Sequence, residues 1–281
     1  MAGTWLVTGA NGQLGRALGR CCAGRGLSFE GRDIDTLDIC DAQAVMEWVS
    51  GARPHVVVNC AAFTAVDECE IRPELAMRVN GTAVGHLAAA CNRAGVPLIQ
   101  ISTDYVFSGD GDRPYREDDP TAPGSAYGRS KLHGEELART AEKHLIVRTA
   151  WLYGRAGNNF VAAIRRQIEA GAKSLRVVAD QRGSPTYCDD LAEAIIDLFE
   201  AGASGTLHAV NAGETTWHGF AQEIALKIGA AVEVLPVTTA EYPRPAPRPA
   251  YSVLDTTRLE NVLRRPMPAW QDGLQRYLEV P

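Results

Sequence analysis

Tyr127 and Lys131 stand four residues apart in the run Tyr127-Gly-Arg-Ser-Lys131. On a helix, residues at that spacing share one face. A free phenol ionises near a pKa of about 10, too high for an efficient acid or base at neutral pH, and a neighbouring ammonium brings it down. Upstream, Ser102-Thr103-Asp104-Tyr105 follows an apolar run. A hydroxyl at a strand end there can hydrogen-bond both the phenol and a carbonyl oxygen. Together these groups suit proton transfer at a carbonyl. The Tyr–Lys spacing alone also describes a helix surface pair, so the reading depends on what surrounds it.

Gly9-Ala-Asn-Gly12-Gln-Leu-Gly15 lies between a strand pattern and a helix pattern. Such glycines allow a tight turn and close backbone approach to a pyrophosphate, which then meets the N–H groups of the helix start. The spacing differs from GxGxxG. The residue that reads the adenosine ribose is expected about twenty residues on, where Arg32 and Asp33 stand side by side. A carboxylate there favours NAD and a guanidinium favours NADP. Both forms, NADH and NADPH, stay open. The positive charge of an oxidised nicotinamide would also favour the Tyr127 phenolate.

These groups need a scaffold. Apolar runs at Trp5–Thr8, Leu27–Glu30, Val56–Ala62, Leu98–Ser102, His144–Leu152 and Gly205–Asn211 read as strands. They alternate with helical spacing at Arg16–Ala23, Asp41–Gly51, Pro73–Ala94, Ala126–Lys143, Asn159–Gly171, Asp189–Ala201 and Phe220–Ile228. The alternation predicts an α/β fold, a Rossmann doubly wound parallel sheet with a smaller C-terminal α/β substrate lobe. The expected division is an NAD(P)-binding domain over 1–155, to which the chain returns at about 185–211. The lobe then takes 156–184 and 212–281. The proline-rich run Tyr242–Pro249 reads as an extended segment laid over that lobe.

The chain has 281 residues, a net charge of −6 and 46% hydrophobic residues, enough for a full core without disulfides or a structural metal. Mild acidity argues against a nucleic-acid partner. No apolar run reaches a membrane span, and Met1 leads straight into a strand pattern, so neither a membrane partner nor a signal peptide is expected. Seven cysteines, two adjacent and none in CxxC, suggest a reduced cytoplasmic protein. The six histidines lack metal-ligand spacing, so no metal site is expected.

The chain resembles the extended short-chain dehydrogenase/reductase family, and within it the dTDP-4-dehydrorhamnose reductases. The matching stretches include Gly9–Gly15, Leu37–Ile39, Val58–Asp67, Val79–Asn80, Ser102–Phe107, Tyr127–Lys131, Arg148–Tyr153, Gly157–Phe160, Asp180–Thr186, Thr216–His218 and Arg248–Pro249, in the family's order. Ser-Thr-Asp-Tyr-Val-Phe with Arg-Thr-x-Trp-x-Tyr is far more specific than the glycine loop. The resemblance implies reduction of a nucleotide-linked 4-keto-6-deoxysugar by NADPH or NADH. It implies that Gly12, Gln13, Leu14, Asp38, Ile39 and Ala61, Ala62, Phe63, Thr64 line the dinucleotide. It makes Tyr127 the proton donor, with Lys131 its partner on the nicotinamide ribose and Asn80 a support. Thr103, Asp104, Tyr105, Trp151 and Arg248 fall to the substrate, Arg248 near the diphosphate.

Some members of the family use acidic residues and Mg²⁺ at a homodimer interface. One such position is Ala17 here, so the sequence does not support the metal; Asp189 suits another but also reads as a helix cap. Two other readings stand beside this one. The first is a reductase giving another dTDP-6-deoxyhexose epimer. The second is a non-catalytic NADP-binding regulatory subunit, like that of methionine adenosyltransferase, which need not keep Thr103, Tyr127 and Lys131 together.

Overall fold

Trp5, Val7, Val56, Val58, Ile99, Leu145 and Val147 are buried on one side of a sheet; Leu6, Val57, Leu98 and Ile146 are buried on the other. Apolar residues at successive positions are what a parallel strand covered on both faces requires. In the computed structural model, which describes residues 3–279, the chain runs first through β1 (Trp5–Thr8), α1 (Gln13–Gly24), β2 (Phe29–Arg32), α2 (Ala42–Ala52) and β3 (Val56–Asn59). Next come α3 (Val66–Ile71), α4 (Pro73–Ala76), a π-helical stretch at Met77–Thr82, α5 (Ala83–Ala94), β4 (Leu98–Thr103), α6 (Ala126–Ala138) and β5 (His144–Thr149). The remainder is β6 (Leu152–Tyr153), α7 (Phe160–Glu169), β7 (Ser174–Val178), β8 (Arg182–Gly183), β9 (Thr186–Tyr187), α8 (Cys188–Glu200), β10 (Gly205–His208), β11 (Thr215–Thr216), α9 (Trp217–Ile228), β12 (Glu233–Val237), α10 (Thr257–Leu263) and α11 (Trp270–Leu278).

Six strands form one parallel sheet in the order β10-β5-β4-β3-β1-β2. The order reverses at β1, between β2 and β3. Crevices for ligands open beyond the carboxyl ends of strands at such a point. Leu14, Ala17 and Leu18 of α1 and the buried face of α8 cover one side of the sheet; Val45, Val84, Leu87 and Ala138 from α2, α5 and α6 cover the other. Each fully buried aliphatic side chain contributes roughly 1.5–3 kcal/mol. A third core gathers Tyr153, Val161, Ile164, Leu175, Val177, Phe220, Ile224, Trp270 and Leu274 beside the sheet, with β7 paired parallel to β12. Leu259 of α10 and Met267 return to the core under α8.

Three expectations need correction. The proline-rich segment does not lie only over the C-terminal elements. Its Ala246 N–H donates to Asp67 Oδ1 on α3 at 3.2 Å, and a Cβ at Gly109 would stand 2.5 Å from Pro249. The helix expected over Pro73–Ala94 is continuous but takes π geometry at Met77–Thr82. There the Asn80 side chain is held by the Phe63 backbone, and Gly134 of α6 packs directly on the Asn80 carbonyl. Asp189 does not cap α8. It lies in the first turn, paired with Arg20 at 2.5 Å and Arg155 at 2.9 Å. Among the described residues no helix is long and apolar enough to cross a membrane.

Candidate active site

A cavity of about 1000 Å³ opens at the carboxyl ends of the sheet strands. At one end, α1 begins at Gln13, and its N-cap is Gly12, which has no side chain to satisfy the first-turn N–H groups. Those groups and the helix dipole form an anion site. The turn is shaped for close approach. Gly9 has φ +63°, and a Cβ on it would lie 2.6 Å from Ala61 N; a Cβ on Gly15 would meet the Gly9 carbonyl.

Beyond the glycine loop, Asp33 lines the cavity, its Oδ2 accepting from Asn11 N and its Oδ1 from Ile34 N, both at 2.8 Å. Arg32 turns away and pairs with Glu30 Oε1 at 3.1 Å, an oxygen also bonded by Trp48 Nε1. The two neighbours that sequence left undecided thus face different ways. Asp38, Ile39, Ala61, Ala62, Phe63 and Thr64 also line this end.

At the centre stand Thr103, Tyr127 and Lys131. Thr103 ends β4, while Tyr127 and Lys131 lie on α6, whose N-cap Ser125 accepts from Gly128 N. Lys131 Nζ donates to Ile101 O at 2.7 Å. That carbonyl also accepts from Gln100 Nε2, the last member of a buried ladder that runs Thr8 to Asn59 to Gln100 across three strands. The ladder turns the Asn59 side chain inward, and the strand expected through Ala62 ends there. Burial raises the Tyr127 phenol well above its ordinary range, against the pull of the Thr103 hydroxyl. Burial also pushes the Lys131 ammonium down to about 8, with the Glu135 carboxylate opposing it.

Asp104 is buried. Its Oδ1 accepts from Thr103 Oγ1 at 2.9 Å, and its Oδ2 has no hydrogen-bond partner among the described residues. Burial pushes this carboxyl up to about 6, held back by the Ser252 and Thr103 hydroxyls. Tyr105 packs edge-on against Tyr127 at 5.5 Å between ring centroids. Trp151 forms the far wall, stacked on Trp217.

Asn80 lies outside the cavity. It clasps the Phe63 backbone and donates to Ser130 Oγ at 3.0 Å, and Ser130 Oγ in turn donates to the Tyr127 carbonyl. Arg248 does not line the main cavity either. It borders a small recess beside Tyr105 and pairs with Asp67 Oδ1 at 3.0 Å. Sequence reasoning missed three residues. Thr149 lines the cavity with a buried hydroxyl that has no partner among the described residues, Trp217 backs Trp151, and Asp67 holds Arg248. All three lie in stretches that match the family, yet none had a spacing that pointed to a role.

The RmlD substrate binding domain family matches residues 3–280. The chain belongs to that family. Among family relatives, a dTDP-4-dehydrorhamnose reductase of Streptomyces griseus is 48% identical over 96% of this chain and 91% of its own length. A probable dTDP-4,6-dihydroxy-2-methyloxan-3-one 4-ketoreductase of Streptomyces antibioticus is 45% identical over 96% of this chain and 93% of its own. The crystal structure of dTDP-4-dehydrorhamnose reductase from Bacillus anthracis in complex with NADP superposes with a TM-score of 0.96 at 39% identity, covering 99% of both chains.

Proposed function

We propose that this member of the RmlD family reduces the C4 keto group of dTDP-4-dehydrorhamnose to dTDP-L-rhamnose, with NADPH or NADH as cofactor and Tyr127 as proton donor. The observation that carries this reading is the convergence of Thr103, Tyr127 and Lys131 in the cavity that also holds the uncapped start of α1. The cavity fits a dinucleotide, because Gly9 and Gly15 let the turn close tightly against Ala61 and itself, and the uncapped helix N–H groups beyond it face an anion. Gly9, Gly12, Gln13, Leu14 and Gly15 would hold the pyrophosphate, and Asp33, Asp38, Ile39 and Ala61 to Thr64 the adenosine half. The dinucleotide, when bound, supplies the hydride.

The protein's part is orientation and proton delivery. Thr103, turning its hydroxyl from Asp104 Oδ1, donates to the ketone oxygen and polarises it. Tyr127, kept un-ionised by burial, gives its proton to that oxygen as negative charge develops there. Lys131, still largely protonated at neutral pH with a value of about 8, then faces the phenolate and stabilises it. The unpartnered Asp104 Oδ2 and Thr149 Oγ1 accept or donate to sugar hydroxyls, and Trp151 lies against the sugar. Asn80 is a positioning residue that holds Tyr127 through Ser130. Arg248, freed from Asp67, meets the diphosphate.

In the same proposal, 1–155 and about 185–211 form the cofactor domain, while 156–184 and 212–281 form the substrate lobe, with α10 leaning back on the first. The resemblance supports a homodimer, in which Ala17 offers no acidic ligand to a bridging metal. All seven cysteines are free thiols, which supports a cytoplasmic location. The Streptomyces antibioticus relative supports a second reading, reduction of another dTDP-linked deoxysugar. Supplying enzymatically made dTDP-4-dehydrorhamnose with each cofactor, and identifying the product by NMR, tests the proposal. Formation of dTDP-L-rhamnose supports it; no oxidation of either cofactor, or a different C4 epimer, contradicts it.

A further inference from the structure

Three consecutive residues of β4 are tied to three α6 side chains spaced one turn apart. Thr103 faces Tyr127, the Ile101 carbonyl accepts from Lys131 Nζ at 2.7 Å, and Ser102 Oγ donates to Glu135 Oε1 at 2.7 Å. Positions 127, 131 and 135 share one helix face. The first two ties belong to the site already described. The third runs from Ser102, which lines the cavity, to Glu135, which is wholly buried and lines no part of it.

Glu135 is nevertheless densely bound. Arg148 of β5 donates to it through Nε and Nη2, each at 2.8 Å, and Arg139 adds a bond at 3.0 Å. Arg148 is itself 2% exposed. A buried ion pair adds little net stability over an apolar pair of the same shape, so stability alone does not account for this one, set one turn beyond Lys131.

We propose that Glu135 is a positioning residue for the reduction, clamping α6 to the catalytic end of β4 so that Tyr127 and Lys131 stay in register with Thr103. This inference rests on the reductase reading above. The clamp also carries charge toward Lys131. The titratable groups facing Lys131 are Tyr127 and Glu135 on its own helix and the Cys60 thiol just past the end of β3. Those facing Glu135 are Arg148 from β5, Arg139 from α6 and His208 from β10. Burial and Arg148 push His208 down to about 3, so it stays neutral. Glu135 is thus the negative charge that favours the Lys131 ammonium against its burial.

The test compares wild type, Glu135→Gln and Ser102→Ala in cofactor oxidation with dTDP-4-dehydrorhamnose across pH. Glu135→Gln keeps the shape and removes the charge. Its kcat should fall by about tenfold to a hundredfold, and the alkaline limb of its pH profile should move down by about one unit, with cofactor KM unchanged. Ser102→Ala leaves the ion pair intact and should lower kcat without moving the limb. Wild-type kcat and an unmoved limb in Glu135→Gln overturn the proposal. If that variant does not fold, wild-type kcat in Ser102→Ala overturns it, and a reduced kcat with both KM values unchanged supports it. A wild type that oxidises no cofactor in this assay counts against the reductase reading itself, and the inference falls with it.

Discussion

Trp151 and Trp217 lie face to face, their ring centroids 3.6 Å apart and their planes 5° from parallel. Trp151 takes φ +49°, a left-handed conformation that costs a residue with a Cβ roughly 1–2 kcal/mol. Gly183 backs it so closely that a Cβ there would lie 2.5 Å from the indole. Strain of this kind persists where the surroundings enforce it, commonly at functional sites. Trp217, at the start of α9, supplies the enforcing face, with Phe160 4.7 Å behind it.

Replacing Trp217 by Ala should therefore loosen the sugar wall. KM for the nucleotide sugar is expected to rise about tenfold, a loss on the order of 1.4 kcal/mol, while cofactor KM stays unchanged. Steady-state kinetics with each substrate varied in turn check this. An unchanged sugar KM would remove Trp217 from the site.

The adenosine end makes a separate prediction. Asp33 is oriented by two backbone N–H groups, and among the described residues lining the cavity the only cation is Lys131, at its centre. A carboxylate so placed accepts from a ribose hydroxyl and repels a 2′-phosphate. Asp33→Asn should weaken NADH binding and strengthen NADPH binding, shifting the ratio of kcat/KM toward NADPH by about tenfold. Equal effects on both cofactors would show that Asp33 does not read the ribose.

Asp104 links function to stability. Its folded pKa of about 6 lies above the ordinary 3.8. The preference for the neutral form is fully present below pH of about 4 and is lost as pH rises through about 6. At neutral pH the protein buries a carboxylate with one unsatisfied oxygen. Asp104→Asn should raise Tm at neutral pH, by an amount on the order of 2–3 kcal/mol in stability, and the gain should vanish near pH 4. Thermal unfolding of both proteins from pH 4 to 8 measures it. A gain that does not change with pH would assign the effect to packing instead.

The fold was legible because apolar runs and helical spacing alternate from Trp5 to Thr149, and the cofactor turn lies between two such elements. The catalytic centre was legible because Tyr127 and Lys131 share a helix face and Thr103 ends a strand. What stayed hidden depends on contacts far apart in sequence. Thr149 reads as one more strand residue until its hydroxyl is found buried and unpaired. Asp67 and Arg248 meet only because the proline-rich segment crosses back to α3, and no local pattern specifies that path. The π stretch around Asn80 has no sequence period of its own; it follows from the Phe63 backbone and Gly134 pressing on one helical turn. Glu135 reads as an ordinary polar helix residue until Arg148 is seen opposite it.

The central claim, that Tyr127 delivers the proton, is tested most directly by Tyr127→Phe. The substitution removes one hydroxyl from a half-buried ring and leaves the glycine loop and Asp33 untouched. General acid catalysis by a positioned side chain contributes about 100- to 10,000-fold, so single-turnover reduction of dTDP-4-dehydrorhamnose should slow by that much while the cofactor Kd stays the same. Turnover near the wild-type rate, with the cofactor Kd unchanged, would contradict the account.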